Sequence, residues 1–160
     1  MAALANLLLL GSQGMQVLIG HAVDMAEALR ERISAREHLS VLNNDNVGPV
    51  TLFRAYPSDV DTFTIKDLEF RDVEAADSVR RHNDFNRRIF ERVSAQAFRG
   101  EGVAINLTDC YRPSASGEPI VALKSYILSP FCDETEVDAV VEQVSAARGV
   151  VEDTTDSYLV

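Results

Sequence analysis

The sequence predicts an α+β fold: a small antiparallel sheet covered on one face by helices and preceded by long junction helices. Three observations carry this reading. Apolar residues recur at helical spacing near the start and the end of the chain, as in Met15, Leu18, Ala22, Met25, Leu29 and Ile33, and again in Val137, Val140, Val141 and Val144. Two β-rich runs, 103–111 and 120–128, flank a Pro/Ser/Gly stretch of the kind that joins antiparallel strands. The elements come in the order helix, helix, strand, strand, helix, strand, strand, helix, which fits a layered α+β domain.

The first segment, 2–10, is apolar on nearly every side and reads as the end of a buried helix. Gly11-Ser12-Gln13-Gly14 breaks it, and Ser12 can cap a second helix that runs to about Arg36. Gly20 inside that helix costs about 1 kcal/mol relative to Ala, which points to a close backbone contact there. A short strand is expected over 39–42, followed by an Asn/Asp turn at 43–46. A second strand, 50–56, is bounded by Pro49 and Pro57. Residues 58–71, with Phe63 and Phe70, read as a lid-like loop. A helix over 73–99 packs through Val79, Ile89, Phe90, Val93 and Phe98, and Gly100 and Gly102 end it. After the hairpin, Ser129-Pro130 stops the last strand because proline has no N–H to donate. Asp133 then caps a final helix over 134–148, with Glu134 and Glu136 at its positive end and Gly149 as its C-cap. The acidic tail, 150–160, docks elsewhere or frays.

A chain of 160 residues with 46% hydrophobic and 25% charged residues has enough apolar surface for one core. Its net charge of −10 argues against a phosphate-backbone partner, so nucleic acid is excluded. Arg80, Arg81, Arg87 and Arg88 do cluster, but His82, Asp84 and Glu91 are interleaved, as on a solvated helix face or a dimer contact. Cys110 and Cys132 form no CxxC pair and read as buried free thiols, which fits a reducing cytoplasm. The opening apolar run lacks a basic flank and is too short for a membrane span. His21, His38 and His82 share no metal-like spacing, and His82 reads as a surface or dimer-contact residue.

Several segments together resemble the group II pyridoxal-phosphate-dependent amino-acid decarboxylases. ALANLLLLGSQGMQVLIGHAVDMAEALRERI looks like the helical junction leading out of that family's large cofactor domain. PVTLFRAYP resembles the first core strand of the small domain, with its Phe-Arg pattern. HNDFNRRIFERVSAQAF is similar to the Asn-rich start of the helix before the last hairpin. LKSYILSPFCDETEVDAVVEQV resembles the terminal strand, turn and acid-capped helix.

The resemblance implies the C-terminal part of a fold-type I enzyme. Residues 1–36 would be junction helices, 37–149 the small domain and 150–160 a tail. It further implies a cytoplasmic homodimer that binds an amino-acid substrate and is neither a membrane nor a nucleic-acid protein. In such an enzyme pyridoxal phosphate is held by a lysine and carries the bond cleavage. This chain has only Lys66 and Lys124, neither after a His as the family's Schiff-base lysine usually is. No catalytic, cofactor-binding or metal-ligating residue is therefore assigned, and the isolated chain is expected to be inactive. Lys124 falls where relatives usually place an Arg that approaches the substrate carboxylate. A strand lysine facing solvent, or paired with an acidic neighbour, is the plainer alternative. Arg54, in the Phe-Arg strand, is a second substrate-binding candidate, with a structural salt bridge as its alternative. Two other readings of the whole chain stay open. One is a stand-alone α+β binding or regulatory module; the other is the small domain of a related aminotransferase or lyase. A fragment should expose Leu4, Leu7, Leu8 and Leu10.

Overall fold

The computed structural model describes the backbone of residues 2–156 and the side chains of residues 8–154. Its elements are α1 (Ala2–Ser34), β1 (Leu39–Val41), β2 (Val50–Ala55), α2 (Thr62–Arg71), α3 (Ala76–Phe98), β3 (Asn106–Thr108), β4 (Ala122–Tyr126) and α4 (Glu134–Asp156). The four strands form one antiparallel sheet in the order β1-β2-β4-β3. This is the α+β layer that the sequence predicts.

Because alternate side chains leave a strand on opposite faces, Leu39, Val41, Phe53, Ala55 and Leu123 share one face of the sheet. They join Ala26, Leu29 and Ile33 of α1, Phe85, Ile89 and Val93 of α3, and Val137, Val141, Val144, Ala147 and Val151 of α4 in the main core. Each fully buried valine or leucine there contributes about 1.5–3 kcal/mol. A smaller cluster on the other face holds Leu42, Val79, Ile120 and Ala122, with Leu52, Phe70 and Tyr111 against it. Helix α3 contributes Val79 to the smaller cluster and Phe85, Ile89 and Val93 to the main one, so it crosses the end of the sheet.

That crossing solves a hydrogen-bond problem. Strands β2 and β4 pair from Val50↔Tyr126 to Phe53↔Leu123 and then part. The asparagines of α3 fill the opening. Asn86 accepts from Ala55 N at 2.9 Å and donates to Ala55 O at 2.8 Å. Asn83 accepts from Val121 N at 3.0 Å and donates to Pro119 O at 2.7 Å. Each side-chain amide supplies the donor and acceptor of a missing neighbouring strand, so Ala55 N and O, Val121 N and Pro119 O are all paired. The Asn-rich start of this helix has a structural reason.

The chain breaks at Gly11, whose φ of 65° and ψ of −176° lie where only glycine sits without strain. A Cβ added at Gly20 would meet nothing within 4 Å, so no close contact within the described residues calls for glycine there. Leu8 and Leu9 are exposed, Leu10 partly so, and Val17 and Ile19 extend the apolar surface. The side chains of Leu4 and Leu7 lie outside the described residues. No described helix is long and apolar enough to cross a membrane.

Four expectations need correction. The lid-like loop is a helix, α2, started by Asp61, whose carboxylate accepts from Phe63 N and from Thr64 Oγ1. The strand expected over 103–111 pairs in its ladder only at Asn106–Thr108. Val103 N is taken by Gln143 Oε1 at 2.8 Å, and pairing resumes beyond the ladder at Tyr111 N to Ile120 O, 2.7 Å. Phe98 is 93% exposed, and Phe85 packs in its place. Finally, α4 runs through Gly149 to Asp156, because Ala147 and Val151 continue its buried stripe and Arg148 pairs with Glu152 one turn on, at 3.1 Å. Its start is as expected: Asp133 Oδ1 accepts from Thr135 N and Glu136 reaches back to Asp133 N, a capping box.

Candidate functional site

The second face of the sheet carries both lysine and arginine candidates. Leu52 lies opposite Lys124, Lys124 opposite Asn106, and Ser40 opposite Arg54. With two-residue alternation all of these, and Tyr126, point to the same side. Its two ends differ sharply in cover.

At one end Arg54 is fully buried. Its Nη1 donates to Asn83 Oδ1 at 3.2 Å and its Nη2 lies 3.3 Å from Glu69 Oε1. Glu69, reaching in from α2, also meets His82 Nδ1 at 2.7 Å and accepts from the Tyr56 hydroxyl at 2.9 Å. The Tyr56 and His82 rings meet edge-on at 5.2 Å, and the Arg54 guanidinium sits 5.6 Å from the Tyr56 ring centre. Burial pushes the Tyr56 hydroxyl far above the usual phenol range; the Glu69 charge adds to this and Arg54 opposes it. A buried ion pair of this kind loses about 3–5 kcal/mol when one partner is removed, because the other charge is stranded.

His82 is therefore an interior residue, not the surface or dimer-contact residue expected. Its spacing from Glu69 carried no signal, since the two meet only after α2 folds back on α3. Three arginines of that helix pair near its surface: Arg80 with Asp77 and Glu118, Arg81 with Asp59, and Arg87 with Asp84 and Asp109.

At the open end stand Lys124 and Leu52, half-buried, with Asn106 and Tyr126 exposed. Lys124 Nζ lies 5.9 Å from the Tyr126 ring centre. This leaves a cation beside apolar and amide groups on an accessible sheet surface, chemistry that can meet a carboxylate as a point charge. A cavity of about 640 Å³ lies elsewhere, along the outer edge of β1 between His38, Phe63 and Lys66.

Lys66 is committed: its Nζ donates to Val41 O at 2.5 Å. Burial draws its pKa down, opposed by Asp67 and helped by Arg112. Arg112 stacks 3.5 Å over the Phe70 ring, and Phe70 meets Tyr111 edge-on. Among the described residues no group of His, Cys, Asp and Glu is arranged to hold a metal ion. Both thiols are free, but Cys110 is exposed and Cys132 only half-buried, where a buried thiol was expected for each. His21 Nε2 lies 2.7 Å from Cys132 O and ties α1 to the turn before α4.

No family model and no curated protein sequence matches this chain. Solved structures do. The apo form of mouse CSAD superposes with a TM-score of 0.65 at 16% identity, over 88% of this chain and 26% of that one. The glutamate decarboxylase domain of a Vibrio parahaemolyticus diaminobutyrate-pyruvate transaminase and L-2,4-diaminobutyrate decarboxylase gives 0.61 at 12%, over 91% and 25%. Oryza sativa TDC, solved with PLP and tryptamine, gives 0.63 at 16%, over 91% and 25%. The likeness fixes the fold. The chain has the architecture of one part of these decarboxylase structures and spans about a quarter of their length.

Proposed function

We propose that the chain is the C-terminal part of a pyridoxal-phosphate-dependent amino-acid decarboxylase, closing the cleft over the cofactor and helping to position the substrate. The observation that supports this is the match of nearly the whole chain to a quarter of each decarboxylase structure. When bound in the rest of such an enzyme, the cofactor supplies the electron sink for carbon dioxide loss. This chain supplies orientation. Lys124, on the open end of the sheet, meets the substrate carboxylate, and Arg54 beneath α2 braces the same face. The exposed apolar surface of Leu8, Leu9, Val17 and Ile19 packs on the cofactor-binding part, in a cytoplasmic homodimer.

The test is Lys124→Met in the complete enzyme, with carbon dioxide release as the assay. Losing a charge contact made throughout the reaction raises KM for the amino acid by about tenfold at little change in kcat. Unchanged KM and kcat would remove Lys124 from the site. A complete polypeptide that binds the cofactor but releases no carbon dioxide from any amino acid would favour a related aminotransferase or lyase.

A further inference from the structure

Helix α2 is attached in an unusual way. Of its ten residues only Glu69 is buried, at 1% exposure, whereas Phe63 is 91% and Leu68 43% exposed. A surface helix is ordinarily held down by an apolar stripe. Here the one fully buried side chain is a carboxylate that reaches inward, and every group that receives it belongs to another element. Arg54 comes from β2, Tyr56 from the residues just after it, and His82 from α3. The receiving groups are not used up: Arg54 Nε and His82 Nε2 are buried without a hydrogen-bond partner. Arg54 Nη2, although ion-paired with Glu69, is not aligned for a hydrogen bond either. The remaining ties of α2 are Phe70, half-buried against the smaller cluster and covered by Arg112, and Lys66, which donates to Val41 O. Non-helical segments flank it on both sides, 57–61 and 72–75.

We propose that Arg54, Tyr56 and His82 form a cradle for a small carboxylate, that Glu69 is its resident occupant, and that α2 is a flap carrying Glu69 out when an external carboxylate takes its place. The cradle has the composition such a ligand needs: a guanidinium for charge, a phenol hydroxyl and an imidazole N–H for direction. Its depth below α2 explains why an external ligand must move the helix to enter. The inference does not depend on the enzymatic reading, since it concerns groups held within this chain.

Hydrogen exchange read by mass spectrometry on the whole chain tests it, with formate as the probe and chloride at equal ionic strength as the control. In the wild type, about 0.1 M formate should speed exchange of the α2 amides severalfold and leave those of α4 unchanged, as expected of a ligand that binds the opened state. In Glu69→Ala the α2 amides should exchange about tenfold faster without any ligand. Formate, but not chloride, should then raise that variant's thermal midpoint in a saturable way. Should the alanine variant fail to fold, Glu69→Gln keeps the side-chain bulk and an acceptor for Tyr56, and its α2 amides are read in the same way. Equal responses to formate and chloride would overturn the proposal. So would acceleration of α2 and α4 alike in the variants, or collapse of both, which would make Glu69 a pillar of the entire fold.

Discussion

Replacing Asn86 by Leu tests the strand-mimicking role of α3 most directly. The two side chains are close in volume, and Asn86 is fully buried, so the change removes polarity with little change in packing. It strands the N–H and the C=O of Ala55, which Asn86 holds at 2.9 and 2.8 Å. The third bond, to His82 O at 2.8 Å, matters less, because that carbonyl also accepts within the helix. Each buried backbone group left without a partner costs about 1–3 kcal/mol, so the loss should be roughly 4 kcal/mol. With a urea slope of about 2 kcal/mol/M, the unfolding midpoint should fall by roughly 2 M at constant slope. Asn86→Asp should fare little better, since its carboxylate keeps the acceptor for Ala55 N but faces Ala55 O without a donor. A loss below about 1 kcal/mol in the leucine variant would show that water reaches Ala55 and that the asparagine is dispensable.

Gly149→Ala separates a helix interior from a helix end: the position has open space around it, so alanine should stabilise by about 0.5–1 kcal/mol, whereas a left-handed cap would be destabilised. Glu152 is pushed up by burial but held lower still by hydrogen bonds from Ser58 and by Arg148, so its folded pKa lies below the ordinary 4.5. Its contribution is therefore complete above that value and lost as the pH falls through the folded pKa. A carboxyl titration followed by NMR should place its midpoint below 4.5, and Ser58→Ala should move it upward. A midpoint unmoved by Ser58→Ala would contradict the assignment. Replacing Val17 and Ile19 together by lysine should shift the isolated chain toward monomer in sedimentation if their exposed surface drives association.

The parts of the fold written in apolar periodicity were legible. Val137, Val140, Val141 and Val144 gave α4, and the alternation over 50–56 and the β-rich run over 120–128 gave the two central strands. What escaped was held by polar groups whose partners lie far off in sequence. Helix α2 shows no clear apolar stripe, since its one fully buried residue is Glu69 and Phe70 alone joins the smaller cluster; only Asp61 before two threonines marked its start. The continuation of α4 past Gly149 was hidden because glycine is read as a stop, while Val151 and the Arg148–Glu152 pair override it. Lys124 and Arg54 fall on one sheet face as their strand positions require, yet no pattern in the chain could tell that one end is roofed by α2 and the other open. The Asn83–Asn86 pair was visible only as a motif; its reason needed the divergence of β2 from β4.

The asparagine bridges also bear on how the chain finds its structure. Strands β2 and β4 are central neighbours, but the polypeptide between them is long, and joining them directly means closing one large loop. Helix α3 stands between, reaching back 31 residues to Ala55 and forward 38 to Val121. One costly closure becomes two shorter ones, each rewarded as it forms. Since the amides fit only one pairing of the strands, a slip of β4 by one residue would leave Val121 N without its acceptor. The helix sets the alignment of two strands that meet late, and a folding nucleus of β2 with α3 would present β4 with a ready-made template.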